Sequence, residues 1–183
     1  MELKEVIYGR RSIRAFLDKQ VEREKLEEVL RAGSYAPSAM NNQNRQFIAI
    51  TDKASLDKIN EAVFQVADEA TRARITARSE DGTFNFFYRA PILIAVCCDE
   101  NEILPVEDCA TALENMFLMA YDLGLGSCWI NQLSKICHLE PIKSTLTALG
   151  MKEGYRVYGC CALGYSAVEG KLSRPKTNEI IIK

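Results

Sequence analysis

The chain has 183 residues, 48% of them hydrophobic and 26% charged, with a formal net charge of −2. That length suits one domain spanning residues 1–183, and that balance belongs to a globular protein rather than a disordered one. Near-neutral charge argues against the clustered Lys and Arg surface that nucleic-acid binding needs. The longest apolar run, residues 91–98, falls far short of the roughly 20 residues of a membrane span. The acidic N-terminus, with Glu2 and Glu5, lacks the apolar core of a secretory signal, so a cytoplasmic location is expected.

The seven cysteines include two adjacent pairs, Cys97/Cys98 and Cys160/Cys161, inside apolar runs, and no Cys-x-x-Cys occurs. An odd number without a secretory signal reads as reduced thiols acting as small core hydrophobes. The only histidine, His138, leaves little for a zinc site or for Ser–His and Cys–His catalysis.

In chain order, a short helix is expected over residues 3–10, followed by Arg10, Arg11, Ser12, Ile13 and Arg14. Leu26, Val29, Leu30 and Gly33 recur at helical spacing and predict an amphipathic helix over 22–35, which ends against Pro37. Residues 45–51 read as a strand. Thr51 and Asp52 offer N-cap oxygens to a helix with the stripe Leu56, Ile59, Val63, Val66 and Ala70. Residues 71–88, polar then aromatic, read as an irregular insertion. The run 91–98 predicts a strand buried on both faces. In the next helix, 106–123, apolar residues from Cys109 to Tyr121 cover nearly the whole circumference. A helix apolar all round must be buried all round, which points to a second subunit as cover. Gly124 and Gly126 end it. A strand or extended loop is expected over 127–132, a helix between Pro141 and Gly150, and a strand over 155–165. The tail, residues 179–183, carries three isoleucines that would be an aggregation hazard as a free edge and that pairing with a partner's sheet would cover. An α+β fold follows.

Three segments carry polar groups suited to a ligand. Arg10, Arg11, Ser12 and Arg14 gather guanidinium forks and a hydroxyl that match phosphate oxygens, although alone they read more readily as a solvated face. Residues 36–47 concentrate Ser38, Asn41, Asn42, Asn44, Gln43 and Gln46 before a strand. Amides donate and accept together, which suits a heterocycle with a mixed hydrogen-bonding edge. Residues 123–133 hold Leu-Gly-Leu-Gly-Ser-Cys-Trp-Ile-Asn-Gln-Leu. Neither there nor elsewhere is there a G-x-G-x-x-G or a G-x-x-x-x-G-K.

Taken in sequence, R-R-S-I-R, A-P-S-A-x-N-x-Q, F-Y-x-A-P-I-L-I-A-V and L-G-L-G-S-C-W-I resemble the nitroreductase family, and the likeness runs from end to end, closing on Leu163-Gly-Tyr165 and Arg174-Pro175. The resemblance implies an α+β sandwich with a mostly antiparallel central sheet flanked by helices. It also implies a homodimer with a domain-swapped C-terminal tail and two FMN sites shared between the subunits. By position, Arg10, Ser12 and Arg14, with Arg11 beside them, would bind the FMN phosphate; Arg174, with Lys171, would reach back from the tail. Pro37, Ser38, Asn41 and Gln43 would line the ribityl chain and ring edge, donated in part by the partner. Trp129 would flank the ring, and the backbone of Ile130, Asn131 and Gln132 would face N5. Where the family continues with Pro-Trp, this chain has Asn44-Arg45, so ring packing is expected to differ.

The activity so implied is a two-step exchange. NAD(P)H delivers hydride to flavin N5 and leaves, and a nitroaromatic, quinone or similar acceptor takes its place, with no dedicated acid–base residue. Phe84 and Phe86 are candidates to stack on an aromatic substrate. The alternatives are a non-catalytic FMN-binding or redox-sensing dimer, or a dehalogenating or flavin-cleaving member, which would need a longer lid than 71–88 supplies.

Overall fold

The computed structural model describes residues 1–79, 81–168, 179, 181 and 182. In chain order the elements are α1 (Leu3–Gly9), α2 (Arg23–Ser34), a 3-10 turn (Ala39–Asn41), β1 (Arg45–Ile50), α3 (Lys53–Val66), α4 (Glu69–Thr76), β2 (Ile92–Asp99), α5 (Pro105–Asp122), β3 (Gly126–Ile130), α6 (Gln132–Ile136), α7 (Ile142–Ala148) and β4 (Tyr155–Gly164). The strands form one antiparallel sheet in the order β1-β2-β4-β3.

Two cores lie on opposite faces of this sheet. Leu93, Ala95 and Cys97 of β2 pack toward α3, α6 and α7, whereas Ile92, Ile94, Val96 and Cys98 pack toward α2 and α5. The unbroken apolar run of β2 is therefore the signature of a strand covered on both sides, here in an antiparallel sheet. Adjacent cysteines split between the two faces: Cys97 and Cys160 go one way, Cys98 and Cys161 the other. All seven thiols are buried and free. Burial pushes the Cys97 thiol up to about 12.

Helix α3 starts where Asp52 accepts a hydrogen bond from the Ser55 N–H at 2.8 Å. Leu56, Ile59 and Val63 are buried as their spacing requires, but Ala70 belongs to α4 and is exposed. The expectation of an irregular segment over 71–88 is corrected up to Thr76 by α4, which Asp68 caps through the Thr71 N–H at 2.7 Å, while the described residues from 77 to 88 are turns and irregular backbone. Phe86 and Phe87 then enter the core, edge to face, with centroids 5.1 Å apart. The expected extended segment 127–132 is also shorter, since α6 begins at Gln132. Helix α5 buries Cys109, Ala112, Leu113, Met116, Phe117 and Ala120 against the sheet and α2, where Gly33 makes room for the Met116 side chain. It is not closed all round: Glu107, Thr111 and Glu114 are exposed, and Leu118 and Met119 only half-buried. None of the described helices is long and apolar enough to cross a membrane.

The segment after α1 runs extended along the sheet's β3 edge. Ser12 and Ser127 form a parallel bridge, and the Ile13 N–H donates to the Ser127 carbonyl at 2.9 Å. Farther on, Leu17 donates to Tyr165 and Ala167 to Ala15, at 2.9 and 3.0 Å. Ile13 sits directly over Gly126, where a Cβ would lie 3.0 Å from three of its side-chain carbons.

Two substitutions test this packing. Ile94→Ala, wholly buried in β2, should lower the unfolding free energy by about 2–5 kcal/mol in urea titration. Gly126→Val should overpack the contact with Ile13 at a cost of about 1–3 kcal/mol. It should also lift the extended segment from β3, seen as faster tryptic cleavage after Arg11 and Arg14 by mass spectrometry.

Candidate functional site

The strap along β3 delivers Arg10, Ser12 and Arg14 to one corner of the sheet. The Arg10 guanidinium lies 5.8 Å from the centroid of the Phe117 ring, and its Nε stands 3.3 Å from Glu114 Oε1. That approach is an ion pair without hydrogen-bond alignment, because the Nε is buried with no hydrogen-bond partner among the described residues. Arg11 is spent differently. Its Nη1 turns back to the carbonyls of Tyr8 and Arg10, at 2.8 and 2.6 Å, and so satisfies the end of α1, while its own Nε is also buried and unpaired. Arg14 is exposed. The Cys128 thiol registers this cluster: burial raises its pKa, and Arg14, the Ser12 hydroxyl and Arg10 pull it partly back.

Two buried guanidinium N–H groups without acceptors, beside a hydroxyl and an exposed arginine, are costly as they stand. An anion with several oxygens would satisfy them, and planar forks suit phosphate best. Next to them the Trp129 ring, 39% exposed, rests over Gly159 and 6.0 Å from Phe117. Its outer face is free to meet a flat aromatic ring. Ile130 is buried beyond it, and Asn131 and Gln132 open α6, with the Asn131 N–H donating to Gln132 Oε1 at 3.1 Å. Cys128 and Phe117, which sequence reasoning did not single out, complete this corner. Only the tertiary packing of α5 against β3 reveals them.

The amide-rich loop 36–44 lies elsewhere. Arg45 is level with Cys98 and Arg156 in the sheet, whereas Ser127 is level with Leu163, seven residues further along β4. Three strand spacings separate β1 from β3. At about 4.8 Å per strand and 3.4 Å per residue, the two positions are on the order of 25 Å apart, at diagonal corners. Within this loop Pro37, Asn41 and Gln43 are exposed and Ser38 half-buried. Ser38 Oγ accepts from the Gln43 N–H at 3.0 Å, and Gln43 Nε2 donates to Asn41 Oδ1 at 2.8 Å. Met40, Asn41 and Gln43 all have left-handed backbones, with φ of 51°, 57° and 55°.

Three further residues, unmarked by any motif, hold the loop. Arg45 donates to the Ala36 and Pro37 carbonyls at 2.7 and 2.9 Å, and to that of Asp108 at 3.0 Å. The Asp108 carboxylate accepts from the Ala39 N–H at 2.9 Å. Glu102 accepts from the side-chain amides of Asn42 and Asn44, which lower its pKa. The signals available in the sequence were the departure from Pro-Trp at Arg45 and an acid on the apolar side of α5 at Asp108, which is buried.

Of the aromatic candidates, Phe84 is half-buried and meets Phe64 edge to face at 5.2 Å, far down the chain from either corner. Phe86 is 1% exposed within the core, so no surface is left on it for a substrate. Lys171 and Arg174 lie outside the described residues.

The profile of the nitroreductase family matches residues 7–165. A protein of Archaeoglobus fulgidus, provisionally named NADH dehydrogenase/NAD(P)H nitroreductase, is 33% identical over 170 residues, 90% of this chain and 85% of the relative. One of Methanothermobacter thermautotrophicus with the same provisional name is 34% identical over 91% of this chain and 78% of its own. Among solved structures, a nitroreductase from Bacteroides fragilis with bound FMN is 39% identical, covers both chains completely and superposes with a TM-score of 0.86. A second, from Desulfitobacterium hafniense, shares the fold at 24% identity and a TM-score of 0.87 over 100% of this chain and 98% of its own. With its sheet order, its strapped N-terminal segment and this match across nearly its whole length, the chain belongs to the nitroreductase family.

Proposed function

We propose that residues 1–183 form one FMN-binding domain that acts as a homodimeric NAD(P)H-dependent oxidoreductase on nitroaromatics, quinones or similar small acceptors. The observation that carries this reading is the pair of buried, unpaired Arg10 and Arg11 Nε groups beside Ser12 and Arg14. The group they fit is the phosphate of FMN, the cofactor named with the Bacteroides fragilis relative. Arg10, Ser12 and Arg14 would hold that phosphate, with Arg11 Nε as an added donor, and Trp129 would stack against the ring. Ile130, Asn131 and Gln132 would border its reactive edge. When bound, FMN supplies hydride chemistry at its own N5 and needs no side-chain acid or base.

The loop leads into β1 and the arginine strap lies along β3, at opposite edges of the sheet, and the family resemblance assigns Pro37, Ser38, Asn41 and Gln43 to a flavin held by the arginines of a second copy. Exposed Leu3, Ile7, Tyr8, Tyr35, Met40 and Val106 supply apolar area for such an interface. So does a cleft of about 540 Å³ between α1, α2 and α5. Among the described residues β1 has β2 as its only strand neighbour. Ile181 and Ile182 are exposed, so a swapped tail pairing with a partner is in keeping with both.

Anaerobic mixing of the FMN-loaded protein with NADH and then NADPH should bleach the yellow colour, and a nitroaromatic should restore it. A flavin that neither nucleotide reduces points to a non-catalytic or sensing role, and a protein that takes up no FMN overturns the reading. The double substitution Arg10→Ala, Arg14→Ala should weaken FMN binding by about 100-fold or more, as expected when two charge-assisted phosphate bonds of roughly 1.5–3 kcal/mol each are lost. Titration followed by flavin fluorescence measures it. Riboflavin, which has no phosphate, should bind the wild type and the variant alike.

A further inference from the structure

Loop 36–44 is braced from two sides by groups that belong to neither flavin-facing set. On one side the Arg45 guanidinium ties down the carbonyls of Ala36 and Pro37 and is itself anchored to the Asp108 carbonyl, at 2.7, 2.9 and 3.0 Å. On the other, the two carboxylate oxygens of Glu102 each take one amide, from Asn42 at 2.9 Å and from Asn44 at 2.5 Å. Between these braces three of four residues, Met40, Asn41 and Gln43, hold left-handed backbones. Side chains other than glycine and asparagine resist that conformation, so an unbraced loop would relax away from it. The internal bond from Gln43 Nε2 to Asn41 Oδ1 aligns the two exposed side chains. It leaves the Asn41 amide nitrogen as a donor and the Gln43 side-chain oxygen as an acceptor, neither bonded to another described residue.

We propose that Arg45 and Glu102 are positioning residues that hold this donor–acceptor pair in the shape required by the flavin bound at the partner subunit's arginine corner. The inference rests on the shared-site reading above. Arg45 acts through the backbone of residues 36 and 37, and Glu102 through Asn42 and Asn44, so neither touches the ligand. A rigid loop loses less freedom on binding than a mobile one, and affinity rises accordingly. Lysine at position 45 has a point charge in place of the planar fork and cannot satisfy three diverging carbonyls.

Apo-protein titrated with FMN, with stoichiometry counted per dimer, tests the proposal. Arg45→Met should raise the dissociation constant by about tenfold and Glu102→Gln by several-fold, the loss of one brace in each case. Arg45→Lys should recover little, and the melting temperature of the apo-protein should stay near that of the wild type. The decisive sample is a mixed dimer, purified with two tags, of one Arg45→Met subunit and one Arg10→Ala, Arg14→Ala subunit. One of its sites then combines intact arginines with an intact loop, and it should bind a single FMN with wild-type affinity. Wild-type affinity in both the Arg45→Met and Glu102→Gln homodimers overturns the proposal while leaving the flavin reading intact. A mixed dimer with no tight site overturns the trans arrangement. Failure of the wild type to take up FMN overturns the flavin reading and this inference with it.

Discussion

A single backbone hydrogen bond, from the Ile13 N–H to the Ser127 carbonyl, sets the place of everything that follows it. It exists because residue 126 has no side chain: Ile13 lies against Gly126 at a distance any Cβ would contest. Through this contact a polar, arginine-rich stretch that would otherwise lie in solvent becomes an extra extended segment on the β3 edge. Ser12, with Arg10 and Arg14 on either side of it, is then held at a fixed height on the sheet. The same strap continues to residues 15–17 and closes on 165–167, so both ends of the segment are fixed.

Electrostatics reinforces the geometry. Burying the Arg10 and Arg11 Nε groups without acceptors raises the free energy of this corner, and the nearest acid, Glu114, is badly aligned to relieve it. Preorganised donors of this kind favour an anionic guest over water, because no further reorganisation is needed when it arrives. At the opposite corner Arg156, level with Arg45 in the sheet, also has a buried Nε without a partner among the described residues. There the charges of Arg45, Asp108 and Glu102 are all matched by loop groups, and the surface presented outward is neutral amide.

Much of this was legible in the amino-acid order, and the exceptions have physical causes. The helices at 23–34 and 53–66 and the strands at 45–50, 92–99 and 155–164 follow their apolar periodicity, because a strong one-sided or continuous pattern leaves few alternatives. Helix α4 was hidden because Glu69–Thr76 has no apolar stripe, with Ile75 its only buried residue. Helix α6 has five residues, too few to express a period. Phe86 was misplaced since an aromatic cluster after a polar stretch looks the same whether it turns outward or inward. At the site, residue types identified the arginine strap and the amide loop, but their diagonal placement is a property of strand order. Arg45, where the family pattern has tryptophan, was visible only as a departure; its three carbonyl bonds give that departure a structural purpose.

Seven thiols enclosed in the two cores have a consequence for the chemistry this chain can tolerate. Burial keeps Cys97, Cys109, Cys160 and Cys161 protonated far above neutral pH, and a protonated, enclosed sulfur is a poor target for peroxide or disulfide exchange. The chain thus keeps its cysteine sulfurs out of reach for as long as it stays folded. Oxidised cysteine in this chain becomes a record of past opening of the core, unlike oxidation at the exposed Met1 and Met40.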